Sequence, residues 1–377
     1  MKERIERQPL KVLMTTDTAG GVWSYSVELC KALRLHNVHF YLVTTGSPLQ
    51  LSQKMEIEHL ENITVYEREF LCEWMDSPWQ SIDESGKWLL QLADKLQVDL
   101  VHLNCFAYGS LPWKIPVMVA AHSDVFSWWL AVRGTYPPKE WNEYFKRVHT
   151  GLRNADFIIA SSRAAMNDIR KTYSAIAPGR VIYNGRSSEI FHPAQKKPFI
   201  YSSGSISDEA KNIRLLVETA KRVPYEVRLA GDTSIDSGSG ERAGLNIKCL
   251  GKLSEKEMAL ELSAASIYVL PAKYEPFSLP VLAAALSGCV LVLGKINSLK
   301  EIWKDSAMYV DTNDAGKLAN TINFLVENHE ARFYYAQRAR ERAKNFTASA
   351  MAFSYMQVYT KLLQSNKQLA YAQNFYK

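Results

Sequence analysis

Short apolar runs rich in β-branched residues recur along the chain, each closed by glycine, proline or small polar residues and separated by stretches of helical spacing. Residues 11–16 read as a first strand, 17–21 as a glycine turn and 22–35 as a helix. Further strands are predicted at 40–44, 62–66, 100–103, 117–121, 157–160 and 181–182. The polar, proline-bracketed segment 192–198 interrupts this rhythm, and a second series follows at 199–203, 225–230, 247–249, 267–270 and 290–293. Strands alternating with helices imply right-handed crossovers and a parallel sheet. The predicted fold class is therefore α/β, with two doubly wound domains meeting near residue 195. Residues 348–363 carry apolar side chains at Met351, Tyr355, Val358, Tyr359 and Leu362, the spacing of one helix face. The expected organisation is thus 1–194, 195–347 and a terminal helical segment, 348–377. Ligands of open parallel sheets bind beyond the carboxyl ends of the strands, which places the expected site in the cleft between the domains.

A length of 377 residues accommodates two domains of ordinary size. The five cysteines, Cys30, Cys72, Cys105, Cys249 and Cys289, form no Cys-x-x-Cys pair, which argues against a zinc site or a disulfide framework and fits a reducing cytoplasm. Residues 1–7 are strongly polar and 12–16 are too short to span or to target, so a cytoplasmic location is expected. The net charge of +6 is weak evidence for a nucleic-acid partner, and none is expected; anionic small molecules or an anionic membrane surface suit it equally.

The candidate chemistry starts with Tyr274, Glu275, Pro276, Phe277, Ser278, Leu279 and Pro280, which connect a predicted buried strand to an apolar helix over 279–286. The first free N–H groups of that helix fall near Phe277, Ser278 and Leu279, and such an end binds anions, phosphates especially. Glu275 stands just before it, where a carboxylate can hold sugar hydroxyls beside a phosphate; the alternative is a helix-start acid that only satisfies the dipole. Gly20 and Gly21, between strand and helix, allow a ligand close to the backbone or simply make a tight turn. They are not a dinucleotide fingerprint, because the spaced Gly-x-Gly-x-x-Gly is absent. His122 closes the apolar run 117–121, where a polar side chain meets the cleft or sits half-buried and hydrogen-bonded. Lys211 precedes the predicted helix 213–221 and can reach a phosphate as a point charge, or be one more exposed lysine. The aromatic segment Phe126, Trp128, Trp129, Tyr136, Trp141, Tyr144 and Phe145, interleaved with Arg133, Lys139, Lys146 and Arg147, suits an acceptor platform, an interfacial membrane patch or helical core packing.

Taken with Val181, Ile182, Tyr183, Asn184 and Gly185 leading to Phe191, His192 and Pro193, with residues 208–212, and with Leu250, Gly251, Lys252 and Leu253, these motifs resemble the retaining GT-B glycosyltransferases of family 4, the glycosyl transferases group 1. The resemblance runs along nearly the whole chain and rests on the order and spacing of its pieces. It implies two facing Rossmann-like domains, an N-terminal one for the acceptor and a C-terminal one for a nucleotide-diphosphate sugar, with the last helix packing back on the first domain. It further implies that Glu275 binds donor-sugar hydroxyls, that Lys211 and the amides of Phe277, Ser278 and Leu279 hold the diphosphate, and that His122 faces the transferred sugar. Backbone near Leu253 would meet the base, and Gly20, Gly21, Asn184 and Gly185 would complete the donor-binding set. Retention of anomeric configuration and independence of metal follow from the same resemblance, and no Asp-x-Asp pair is placed to hold a divalent ion. The implied partners are the nucleotide sugar and a glycan or lipid-linked acceptor, with peripheral contact at the inner face of the membrane.

Three positions depart from the family pattern. Ala283 stands where a second glutamate binds the nucleotide ribose, Ser205 replaces a diphosphate-binding arginine, and Ser278 stands where glycine is usual. Losing one charge-assisted contact costs about 1.5–3 kcal/mol, so two absences weaken transition-state binding by roughly two to four decades unless something substitutes. Arg186 and Arg214 are the candidate substitutes. The departures leave a second expectation, a non-catalytic GT-B relative that binds a nucleotide, a glycan or a partner glycosyltransferase, and a third, a phosphorylase or epimerase on the same architecture.

Overall fold

The computed structural model describes residues 8–174, 176–232 and 246–375, so the polar segment 1–7 lies outside the described residues. Strands β1 (Leu10–Asp17), β2 (Val38–Thr45), β3 (Ile63–Glu67), β4 (Leu100–Leu103), β5 (Val117–Ala121), β6 (Phe157–Ala160) and β7 (Gly179–Val181) form one sheet in the order β3-β2-β1-β4-β5-β6-β7. Every described pairing is parallel, with Val12 opposite Phe40 on one side of β1 and Leu100 on the other. Parallel pairing needs crossovers, and helices α1 (Gly21–Leu33), α2 (Leu51–Ile57), α3 (Trp79–Leu96), α4 (Val125–Arg133), α5 (Asn142–Asn154) and α6 (Arg163–Tyr173) provide them. They cover both faces of the sheet, which is why β4 and β5 are buried at every position.

The second sheet repeats the plan. Strands β8 (Lys197–Ser203), β9 (Glu226–Ala230), β10 (Ile247–Gly251), β11 (Ala265–Leu270), β12 (Val290–Gly294) and β13 (Met308–Val310) run in the order β10-β9-β8-β11-β12-β13, again all parallel. Helices α7 (Ile213–Thr219), α8 (Glu255–Ala264), α9 (Leu279–Leu286), α10 (Asn297–Trp303), α11 (Ala315–Glu327) and α12 (His329–Ala343) flank it. α9 is apolar all round because it is enclosed all round, each of its residues but Pro280 being buried. The edge strand β13 has only three residues, two of them half-buried, and carries too little apolar pattern to stand out in the sequence.

α13 (Ala348–Phe375) continues beyond the expected 363 and returns to the first domain. Met351, Tyr355, Val358 and Tyr359 are all under 4 % exposed, and the Tyr25 hydroxyl of α1 donates to Tyr355 at 2.5 Å. The return begins beside the interdomain link, where Arg186 bridges Thr347 and the Gly185 N–H points at Met351 Sδ. A Cβ at Gly185 would lie 2.1 Å from the Thr347 carbonyl oxygen, so only glycine lets the two chain segments cross there.

Strand order reverses between β1 and β4 in the first sheet and between β8 and β11 in the second. At such reversals the loops leave in opposite directions and open a crevice at the carboxyl ends of the strands.

Candidate functional site

The loops at the second crevice bring Lys211 and Glu275 together. Residues 204–212 follow β8 and residues 271–278 follow β11, its neighbour in the sheet. Lys273 N–H donates to the Ala210 carbonyl at 2.8 Å, and the Asn212 side-chain amide donates to the Pro271 carbonyl at 2.9 Å and to Thr312 at 2.7 Å. Fastened in this way, the loops set Lys211 Nζ against Glu275 Oε2 as an ion pair. Glu275 is buried, and its backbone carbonyl accepts from Ser298 Oγ at 2.5 Å. Burial alone would lower Lys211, but the facing carboxylate outweighs it and holds the ammonium above its ordinary range.

Ser278 is the N-cap of α9, with φ 74°, a left-handed conformation that favours glycine. Its hydroxyl accepts from Val281 N–H at 3.5 Å, so the side chain that makes the backbone costly also caps the helix. Phe277 and Leu279 are buried on either side, Phe277 against Phe346 with ring centroids 5.6 Å apart. The helix therefore presents backbone rather than side chains at its start, together with the positive end of its dipole.

In the first domain the polar residues cluster after β1, β4 and β5. Gly20, at φ 70°, and Gly21 open α1 and are exposed, with nothing within 4 Å of a Cβ built on either. His122, after β5, is half-buried and faces the Tyr25 ring edge-on at 4.5 Å between centroids. The Asn104 amide nitrogen donates to the Thr15 carbonyl at 2.7 Å and to Ser26 Oγ at 3.2 Å, while its oxygen meets His122 Nε2 at 2.9 Å. An amide oxygen only accepts, so His122 Nε2 carries the proton and Nδ1 keeps a lone pair. Burial lowers the His122 pKa to about 4, and the ring is neutral near pH 7. Behind it lies a chain of hydrogen bonds: Tyr359 hydroxyl to His102 Nδ1 at 2.7 Å, His102 Nε2 to Tyr25 at 3.3 Å, and Tyr25 to Tyr355. Burial holds the wholly buried His102 at about 3.

The two crevices face each other. Tyr274, next to Glu275, lies close enough to Asp124, two residues after His122, for the Asp124 carboxylate to add to the burial that pushes its hydroxyl up. Arg133 of α4 pairs with Glu209 at 2.6 Å, two residues before Lys211. Glu301 of α10 accepts from the N–H groups of Arg163 and Ala164 at 2.8 and 2.9 Å and from the Tyr183 hydroxyl at 2.8 Å, so an acid of the second domain caps α6 of the first. His122, Lys211, Glu275 and the start of α9 thus border one cleft.

The remaining predicted positions are more peripheral. Leu253 is half-buried in the turn from β10 to α8, beside the Ser254 cap. Asn184 is buried at the interdomain link, and Gly185 is held by its crossing with Thr347. Ala283 is fully enclosed, and the Ser205 hydroxyl is engaged with Ser207 Oγ at 2.7 Å. Of the proposed substitutes, Arg186 is buried and paired with Glu255, whereas Arg214 is exposed on α7. Phe126 packs among Tyr144, Phe145 and Tyr173, which makes that part of the aromatic segment core rather than platform. Sequence reasoning did not find Asn104, Tyr25 or His102; their polar character inside apolar runs is a signal only once their partners are known. Among the described residues no group of three or more His, Cys, Asp or Glu side chains converges, and no helix is long and apolar enough to cross a membrane.

Two family models together match most of the chain: Glycosyltransferase Family 4 over residues 19–189 and Glycosyl transferases group 1 over 186–342. The alpha-maltose-1-phosphate synthase of Mycolicibacterium smegmatis is 25 % identical over 304 residues, 69 % of this chain and 76 % of that protein. Sucrose-phosphate synthase from Thermosynechococcus elongatus superposes with a TM-score of 0.80 at 19 % identity, covering 95 % of this chain and all of that one. Anabaena HepE in complex with UDP-glucose superposes at 0.73 and 17 % identity, with 94 % and 99 % covered. These likenesses show the two-domain GT-B fold.

Proposed function

The chain belongs to the glycosyl transferases group 1, with a GT-B fold, and on that basis we propose that it moves a sugar from a nucleotide-diphosphate sugar to a hydroxyl of a glycan or lipid-linked acceptor, with retention and without a metal. The observation that carries this reading is the Lys211–Glu275 ion pair held in the loops that lead to the start of α9. Support for a nucleotide-sugar donor also comes from the UDP-glucose bound by a protein of the same fold.

In the reaction the bond from the anomeric carbon to the diphosphate oxygen breaks and a bond to the acceptor oxygen forms. The acceptor proton leaves with the nucleoside diphosphate. Negative charge grows on the departing phosphate, where Lys211 and the first amides of α9 stabilise it without reorganising. An arriving diphosphate competes for Lys211 and frees Glu275 to accept from sugar hydroxyls. His122, neutral and with Nδ1 unprotonated, accepts a hydroxyl hydrogen bond rather than transferring a proton. Gly20 and Gly21 leave the backbone open to the ligand, and the turn at Leu253 meets the base. A lipid-linked acceptor would bring the protein to the inner face of the membrane, which vesicle flotation tests.

A second reading, a non-catalytic relative, is favoured by the enclosed Ala283 and the self-paired Ser205, which together leave the donor site with Lys211 as its only assigned cation. Incubating the purified protein with UDP-, GDP- and ADP-sugars and mixed glycan acceptors separates the two. Sugar transfer that Glu275→Ala abolishes supports the enzyme. Nucleotide binding without any transfer supports the relative.

A further inference from the structure

The loops after β1, β2 and β3, neighbours in the first sheet, meet at its cleft-facing end, and Trp74 stands 48 % exposed among them. Its preceding neighbours are pinned. Cys72 and Glu73 are buried, the Glu73 carboxylate accepting from the N–H groups of Phe106 and Ala107 at 3.1 and 3.0 Å, and Cys72 Sγ reaching Thr45 Oγ1 at 3.9 Å. The indole is oriented as well: its Nε1–H donates to Asp17 Oδ2 at 3.2 Å. Asp17 closes β1, and its other oxygen accepts from Ala19 N–H at 2.7 Å, which fixes the carboxylate while leaving lone pairs for a ligand. Gly20, at the mouth of the cleft, is three residues away.

A fixed indole beside an oriented carboxylate is chemistry that recognises a pyranose, the apolar C–H face lying on the ring and a hydroxyl donating to the acid. We propose that Trp74 and Asp17 form a saccharide subsite that holds one sugar unit of the acceptor. The proposal rests on the glycosyltransferase reading above and narrows it, naming a carbohydrate as the acceptor class and these loops as its seat. It also moves the acceptor platform away from Phe126, which the fold buries.

The test follows the indole N–H resonance of Trp74 by NMR in the full-length 15N-labelled protein, identified by its loss in Trp74→Phe. The probes are methyl α-glucoside, methyl α-mannoside, methyl β-galactoside and maltose. A saturable shift with at least one of them, weakened roughly tenfold or more in Asp17→Asn, is the expected result, since a hydrogen bond to a charged group is worth at least that factor. A resonance unmoved by all four, or shifted equally in Asp17→Asn, overturns the subsite. If Asp17→Asn does not fold, saturation transfer to the bound glycoside decides: Trp74→Phe keeps a stacking ring and the signal, whereas Trp74→Ala loses it. Thermal stabilisation by nucleotide is read in the same samples and is expected unchanged by the Trp74 variants. Its absence in the unmodified protein would count against the glycosyltransferase reading and leave the indole titration to judge the subsite separately.

Discussion

Asn104 sets both the orientation and the protonation of His122: its amide oxygen meets Nε2 at 2.9 Å because its nitrogen is committed to the Thr15 carbonyl. The imidazole is thereby an acceptor at Nδ1 and, with a pKa of about 4, neutral near pH 7.

A neutral His122 predicts a transfer rate, measured as kcat/KM, with no histidine limb between about pH 5 and 8. Asn104→Asp puts a carboxylate against Nε2, raises the His122 pKa and brings a limb into that window. The same shift has a stability consequence. Unfolded, the ring binds a proton as pH falls through its ordinary 6.5, whereas the folded ring binds none until about 4. The stabilisation is therefore complete above 6.5 and lost as pH falls toward 4, at up to about 1.4 kcal/mol per pH unit. Urea unfolding of His122→Gln should show a pH slope shallower by about that amount across the interval.

Lys211 and Glu275 neutralise each other where Glu275 has only 8 % of its side chain exposed. Lys211→Met leaves that carboxylate unpaired and is expected to destabilise the protein by about 3 kcal/mol. Combining it with Glu275→Gln should recover more than half of the loss, a coupling that denaturant titration of the four proteins measures. All three variants are expected to lose transfer.

Ser278 combines a left-handed φ of 74° with a capping hydroxyl. Ser278→Ala keeps the strain and loses the cap, and is expected to cost about 1–2 kcal/mol; Ser278→Gly loses the cap but relieves the strain, and is expected to change stability by less than about 0.5 kcal/mol. Thermal unfolding of the pair checks the order.

Gly185→Ala drives a methyl group to 2.1 Å from the Thr347 carbonyl oxygen, at the crossing that returns α13 to the first domain. A loss of about 3 kcal/mol or more is expected, seen as earlier exposure of α13 in hydrogen exchange.

The inner strands, such as β4, β5 and β12, were legible because a parallel sheet covered on both faces demands an unbroken apolar run, whereas the half-exposed edge strand β7 lies at Gly179–Val181 and overlaps the expected 181–182 only at Val181. The α13 positions Met351, Tyr355, Val358, Tyr359 and Leu362 are all buried as their spacing required. Lys211 and Glu275 could be named from their loops, but their pairing needed the fastening of one loop to the other by Lys273 and Asn212. The support of His122 was not legible at all. His102 and Tyr359 are separated by 257 residues, and the return of α13 to the first domain brings them within hydrogen-bond reach. The aromatic run at Phe126 drew attention by composition, whereas Trp74 sits in a mixed loop with Phe70, Leu71 and Met75 that has neither strand nor helix spacing.

The central claim is that Lys211 holds a nucleoside diphosphate at the start of α9. It is tested most directly by thermal unfolding of the protein and of Lys211→Ala with UDP, GDP, ADP and their sugar conjugates, each shift being taken relative to that protein's own midpoint. The expected result is stabilisation by one base, roughly 2.7 kcal/mol at about 100 times Kd, that Lys211→Ala loses. Stabilisation undiminished in Lys211→Ala, or none with any nucleotide at saturating concentration, would contradict it.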